Sequence, residues 1–228
     1  MSIVGALNYI AKQTRFDIIS VVSVLSQFLV HATLQLLLDA KRVIIYLRDS
    51  ANEGITYWAN TLMKNIAVAY CDASHAPGGL TGIGWRRSRT GIIIMMNGAA
   101  VMWLSKAQTC VTLSSCEAEY ISLSNCCQEV VWIRGILEFL GCAAIGPTTV
   151  FEDNQAALTI ANNSLDIKRS KAVDTRYHYT REKIEEGIVV IKDCNTELMM
   201  ADVTTKGLQG KKLHFFWSCG RGAVPTTD

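Results

Sequence analysis

The sequence predicts an α/β domain, a mixed sheet covered by helices, preceded by a small helical segment. Three observations carry this. From about residue 66, short apolar runs alternate with amphipathic stretches. Two of those runs flank Asn97-Gly98, a pair suited to the positive φ angles of a two-residue hairpin turn. Residues 1 to about 60 show only the helical period.

"SIVGALNYIAK" places Ile3, Leu7 and Ile10 along one helical stripe. "TRFDIISVVSVLSQFL" predicts a second helix, with Thr14 and Asp17 in capping-box spacing, Asp replacing the usual Glu. "TLQLLLDAKRVIIYLRD" predicts a third, making a small bundle. "IAVAYCDAS" then reads as a strand ending in a carboxylate, and "TGIIIMMNGAAVMWLS" as the hairpin. A long helix follows from about 115 to 140 and stops at Gly141. "TTVFEDN" is another strand ending in a carboxylate. "NQAALTIAN" and "DTRYHYTREKIEEG" read as helices, "GIVVIKDC" as the last strand and "LMMADVTTKGL" as a last helix. The expected division is a helical segment at 1–62, an α/β domain at 66–210 and a tail at 211–228.

The 228 residues suit one large domain, or one of about 150 residues with a smaller neighbour. A formal net charge of +2 does not announce a nucleic-acid binder, so such binding would need local patches. The eight cysteines form no CxxC pair, and no basic stretch followed by an apolar run opens the chain. Free thiols in a reducing compartment are therefore expected, without structural zinc. The longest apolar stretch, residues 18–30, is too short to span a bilayer and is interrupted by serines and a glutamine.

Asp72 and Asp153 each end an apolar strand, where an open α/β sheet presents its site. The long helix offers Glu117 and Glu119, which point about 200° apart. Glu119 shares its face with Leu123, Cys126, Val130, Ile133 and Leu137, all apolar. Glu117 shares its face with Ile121, Ser124, Gln128, Val131 and Glu138, a mixed set. The apolar face must lie on the sheet, so Glu119 is assigned to the strand ends and Glu117 to water. Clustered carboxylates repel one another and persist when a cation neutralises them; an incomplete oxygen cage suits magnesium. Asp202 in "MMADVTTK" is a fourth acid that could complete a site for two ions. Taken singly, a strand-terminal Asp is also a common turn residue, and Asp202 a common surface acid.

"AYCDAS", "SRTGIIIMMNGAAVMWLSKAQTCVTLSSCEAEYISLS", "EDNQAAL", "VDTRYHYTREKIEEG" and "ADVTTKGL" occur in this order. Together they resemble the ribonuclease H domain of copia-type retrotransposon polyproteins. "IVGALNYIAKQTRFDI" and "AKRVIIYL" resemble the end of the reverse transcriptase just before it. The resemblance implies a ribonuclease H-like five-stranded mixed sheet with flanking helices. It implies hydrolysis of the RNA strand of RNA–DNA hybrids, with Asp72, Glu119, Asp153 and Asp202 as catalytic acids holding two Mg2+ ions. Ser115 and Gln155 are candidate contacts to the 2′-hydroxyls of the substrate; the other reading is a helix N-cap for Ser115 and an exposed helix residue for Gln155. The implied partners are the hybrid and the upstream polymerase region, with no membrane; the implied location is intracellular, cytoplasmic, in a virus-like particle for an intact element.

Residues 168–183 hold six basic and two acidic residues, and Arg86, Arg87 and Arg89 form a weaker patch. Either could track a nucleic-acid backbone; the other reading of 168–183 is a solvated helix face, and of His178 a packed or surface histidine. Three positions depart from the usual family pattern: Phe16 and Gly207 where proline is common, and Ala172 where histidine is. No YxDD motif occurs, so the sequence is expected to be a fragment or a reading frame of a degenerate element. The alternative is a catalytically inactive fragment that retains the fold. An integrase-like transferase using Glu185 or Glu186 leaves "SSCEAEY" and "ADVTTK" unexplained.

Overall fold

The structure is a computed structural model, and it describes residues 3–31, 33–58, 65–75, 87–162 and 171–222, without the side chains of 171–174. Five strands form one sheet: β1 (Val68–Ser74), β2 (Arg89–Met96), β3 (Ala99–Ala107), β4 (Thr148–Glu152) and β5 (Val189–Asp193). Their order is β3-β2-β1-β4-β5. β1, β2 and β3 are antiparallel neighbours, whereas β4 runs parallel to both β1 and β5. The hairpin forms because Asn97 (φ 53°) and Gly98 (φ 82°) tolerate the left-handed backbone. The parallel strands are reached through helical crossovers, as parallel pairing requires.

The helices are α1 (Ile3–Gln13), α2 (Ile19–Gln27), α3 (Leu34–Asp49), α4 (Ser115–Phe139), α5 (Gln155–Asn162), α6 (Lys171–Glu185), α7 (Asp202–Thr205) and α8 (Gly210–Gly220). α4, α5 and α6 cover one face of the sheet; α7, α8 and the N-terminal helices cover the other. Ala69, Cys71, Ile92 and Ile94 pack with Leu123, Cys126 and Val130 of α4. Tyr70, Ile93 and Ala100 pack instead with Val203, Phe216 and Trp217. Burial on both faces is why β2 reads as an unbroken apolar run.

α4 begins at a capped end. Ser114 Oγ accepts the Glu117 amide, and the Glu117 carboxylate accepts the Leu113 amide. It ends where Gly141 takes φ 73° and the Cys142 amide returns to the Leu137 carbonyl. All five apolar residues assigned to the Glu119 face are buried. The Glu117 face is drier than its composition suggests, since Ile121 and Ser124 are also buried. A helical wheel treats one neighbour, whereas α6 packs along a second side of α4.

The N-terminal helices form their own cluster around Leu7, Ala11, Val22 and Val43. It is docked to the sheet through aromatic contacts. The Trp103 indole donates to the Ala11 carbonyl (2.7 Å), and the Phe16 ring lies 4.9 Å from Trp217 and 5.7 Å from Trp103. Phe16, at a position where the resemblance expects proline, is fully buried. Part of the outer face of α3 stays open, including Leu34, Ile44 and Ile45.

Two local expectations are corrected. Thr14 and Asp17 make no capping box. Asp17 is instead the partner of buried Arg15 (2.7 Å) and accepts the Tyr46 hydroxyl (2.6 Å), because a buried guanidinium needs a carboxylate more than a helix start needs a cap. The last predicted helix, "LMMADVTTKGL", shrinks to the four residues of α7, with a separate helix at Gly210–Gly220. Phe216 and Trp217 of that helix fill the sheet face that a longer α7 would have covered.

All eight cysteines are free thiols, and among the described residues no helix is long and apolar enough to cross a membrane.

Candidate functional site

The parallel pairing of β1 with β4 stops at Tyr70 and Phe151. Two residues further come Asp72, still within β1, and Asp153, the residue just after β4, so the two acids stand on either side of the opening split. β2 stays with β1 past this point and pairs Gly91 with Asp72. The strand thus runs two residues beyond Asp72, rather than ending at it. The second turn of α4 lies over the split and points Glu119 into it. One carboxylate oxygen each from Asp72, Glu119 and Asp153 lie within 4.8 Å of one another. Asp72 and Glu119 are buried, and Asp153 is half-buried on the open side.

Each acid is held by its surroundings. The Thr205 hydroxyl donates to Asp72 Oδ2. The Ser122 hydroxyl donates to the Asp72 carbonyl (2.8 Å), tying α4 to β1. The Ala73 amide donates to the Glu119 carboxylate. The other oxygen, Oε2, is buried with no hydrogen-bond partner. A buried carboxylate oxygen left unpaired is costly unless a cation or proton meets it.

Electrostatics agree with that shortage. Burial, then repulsion from Glu152, Asp72 and Asp153, pushes Glu119 up to about 10. Burial raises Asp72 as well, against the pull of Lys206 and Thr205. The donor set fits a hard divalent cation: three oxygens, an unsatisfied lone pair, excess negative charge and one side open to water.

Asp202 heads α7, is fully buried, and lies outside this group of three. Its Oδ1 is paired with Lys206 and its Oδ2 with Lys212 (3.4 Å). Lys206 also reaches Asp72 Oδ1 (3.4 Å), so one ammonium bridges Asp202 to the cluster.

Sequence reasoning passed over two participants. Glu152 is fully buried beside the triad; it accepts from Cys71 Sγ (3.2 Å) and the Asn154 amide (3.1 Å). Burial raises it to about 8. The signal was available: alternation along β4 puts Glu152 on the same side as buried Val150. Lys206 was visible as the i+4 partner of Asp202.

The remaining candidates lie further out. Ser115 is the exposed first residue of α4, and its neighbour Ser114 is the cap. Gln155 is exposed and donates to Asp193 (2.7 Å). His178 is exposed, with its ring edge-on to Tyr177. Arg89 is buried and donates to Ser105 and Ser23 (3.2 Å to Ser105), so it cannot join a surface patch; Arg87 is exposed and Arg86 lies outside the described residues. Of the basic stretch at 168–183, residues 168–170 lie outside the described residues, Arg176 donates to Asn125 (2.6 Å), and Lys183 pairs with Glu182 and Glu186.

This strand order, with helices on both faces, makes the α/β unit ribonuclease H-like. No protein-family model matches the chain. It is 33% identical over 205 residues to the retrovirus-related Pol polyprotein from transposon TNT 1-94 of Nicotiana tabacum, covering 90% of this chain and 15% of that one. It is 34% identical over 207 residues to the corresponding polyprotein from transposon RE1 of Arabidopsis thaliana, covering 90% and 14%. It is also 38% identical over 133 residues to the secreted RxLR effector protein 161 of Plasmopara viticola, covering 58% and 89%. Among solved structures, the N-terminal RNase H domain of Rv2228c from Mycobacterium tuberculosis superposes with a TM-score of 0.44 at 13% identity, covering 61% of this chain and 89% of that one. The chain belongs to the retrovirus-related Pol polyproteins of copia-type transposons. It spans about a seventh of the length of the two plant polyproteins.

Proposed function

We propose that the chain is the ribonuclease H part of a copia-type retrotransposon polyprotein, hydrolysing the RNA strand of RNA–DNA hybrids with divalent metal. The observation that carries this is the convergence of Asp72, Glu119 and Asp153 at the β1–β4 split, with a buried, unpartnered Glu119 oxygen. The relatedness to Pol polyproteins supports it.

Asp72, Glu119 and Asp153 would hold one Mg2+ ion, and Asp72 with Asp202 a second. When bound, such ions supply a water of lowered pKa and a counter-charge for the leaving 3′ oxygen. The chain's own residues set the stage. Thr205 and Ser122 fix Asp72, the Ala73 amide orients Glu119, and burial of both strengthens every charge interaction there. Half-buried Asp153 leaves the side open to the scissile phosphate. Ser115 and Gln155, exposed near the starts of α4 and α5, are the proposed readers of 2′-hydroxyls, where the N-terminal end of a helix favours an anionic backbone. By this reading residues 1–62 are the end of the reverse transcriptase, 66–210 the nuclease and 211–228 its tail. The polymerase region is the natural neighbour and the cell interior the site of action.

The test is cleavage of a labelled RNA–DNA hybrid in Mg2+. Products should carry a 3′-hydroxyl and a 5′-phosphate, and cleavage should vanish in Asp72→Asn and Glu119→Gln. An intact hybrid with wild-type protein would overturn the activity while leaving the fold in place.

A further inference from the structure

The acid site already contains a cation of its own. Lys206 Nζ lies 3.4 Å from Asp72 Oδ1 and is hydrogen-bonded to Asp202 Oδ1, so it sits between the two carboxylates assigned above to a second ion. We propose that Lys206 is an internal counter-ion that competes with divalent metal for the Asp72–Asp202 pair, so that this second position fills only when the ammonium is displaced. The inference rests on the metal-site reading above.

Four features make Lys206 suited to this. First, the two carboxylates it bridges are almost wholly buried, with side-chain exposures of 3% and 1%, while Lys206 itself is 39% exposed. Removing the ammonium without replacement would strand two buried anions, which is strongly unfavourable. Its own return to water is easy, because one side already faces solvent and its four-carbon stem is flexible.

Second, Lys206 follows α7 directly, and its backbone amide is held by the Asp202 carbonyl (2.8 Å). The backbone is therefore anchored while the side chain can swing. Third, Lys212 holds the opposite oxygen of Asp202 from α8 and does not touch Asp72. Asp202 would keep its orientation when Lys206 leaves. Fourth, the charge balance is uneven. Asp72, Glu119, Asp153, Asp202 and Glu152 face this region, against only Lys206 and Lys212 among the paired cations described there. Lys206 neutralises the Asp72–Asp202 side and leaves Glu119 Oε2 unpaired. The first ion should therefore enter the triad without opposition, and the second should have to compete.

The experiment measures Mn2+ binding by calorimetry and thermal melting with and without Mg2+, on wild type, Lys206→Met, Lys206→Arg and Lys212→Met. Neither readout needs nuclease activity. Wild type should bind one ion tightly and a second weakly. In Lys206→Met the second should tighten by on the order of tenfold or more, as expected for removing a like charge a few ångströms away. The metal-free melting temperature of that variant should fall and its rise with Mg2+ should grow. Lys206→Arg should stay close to wild type in both respects, and Lys212→Met should tighten the second ion less than Lys206→Met, because Lys212 holds Asp202 without reaching Asp72.

Should Lys206→Met fail to fold, NMR of 15Nζ-labelled lysine in the wild type decides the matter, with the signal assigned through Lys206→Arg. Mg2+ should shift the Lys206 signal toward those of solvated lysines; an unmoved signal overturns the proposal. Equal affinity and stoichiometry in wild type and Lys206→Met overturn the counter-ion role alone. Failure of both proteins to bind any divalent ion overturns this role together with the metal-site reading.

Discussion

Gly91 stands directly across the β1–β2 ladder from Asp72, and its lack of a side chain is what lets α7 lie on the sheet there. A Cβ at Gly91 would fall 2.2 Å from Thr204 Oγ1 and 2.3 Å from Thr205 Cγ2. That close approach carries Thr205 to its hydrogen bond with Asp72 and places Asp202 and Lys206 above the same carboxylate. A glycine on one strand thus positions acids contributed by a segment more than 100 residues later in the chain.

Gly91→Ala should therefore damage both stability and the site. Both colliding groups belong to buried residues of α7, so the helix must shift as a unit. Urea unfolding should show a loss of about 1–3 kcal/mol. Hybrid cleavage should fall by more than stability explains, because the Thr205–Asp72 bond is lost. Unchanged cleavage in a folded variant would show that α7 can move without disturbing Asp72.

The two glutamates of "CEAEY" should separate cleanly. Glu119→Gln should abolish cleavage yet raise the melting temperature of the metal-free protein at pH 8, since glutamine is neutral in both states whereas Glu119, raised to about 10 by its burial and its like-charged neighbours, must take up a proton to fold. Glu117→Gln should retain cleavage. It weakens the acceptor for the Leu113 amide and should cost at most about 1 kcal/mol.

Metal-free stability should decline with rising pH. Glu152 and Glu119 are raised from an ordinary 4.5 to about 8 and about 10. Above pH 4.5 the unfolded chain releases protons that the folded chain retains, so their contribution is fully present below that point. It is lost as pH rises through the folded values, with a slope approaching about 1.4 kcal/mol per pH unit for each retained proton. Melting temperatures from pH 5 to pH 9 should fall without Mg2+ and flatten with it, because a bound cation replaces the protons. A flat metal-free profile would show that these carboxylates are better solvated than their burial implies.

Phe16→Ala should loosen the N-terminal helices from the sheet. The ring packs against Trp103 and Trp217, and it fills the space over Gly220, where a Cβ would meet it at 2.3 Å. Truncation of so buried an aromatic typically costs about 3–5 kcal/mol. Hydrogen exchange should show the loss first in α1 and α2. Protection unchanged there would mean that the Trp103–Ala11 hydrogen bond suffices.

By itself the sequence determined the elements and most of their ends. Apolar periods, Asn97-Gly98 and Gly141 act over a few residues, so they are readable without knowing the neighbours. The same local geometry chose Glu119 over Glu117, because a helix that must bury one stripe also fixes which acid lies under it. Asp72 and Asp153 were readable as acids near strand ends for the same reason, although β1 runs on to Ser74 and β4 stops at Glu152. Only the tertiary structure decided what depends on distance through space. It shortened α7 because Phe216 and Trp217 fill the face beside it. It buried Ile121 and Ser124 on the Glu117 side of α4, and it turned Arg89 inward and Asp17 toward Arg15. It gathered Asp72, Glu119 and Asp153 within 4.8 Å while tying Asp202 to Lys206 and Lys212. Which carboxylate meets a metal and which meets a lysine is set by a few ångströms of packing between segments far apart in the chain, and no local pattern encodes that separation.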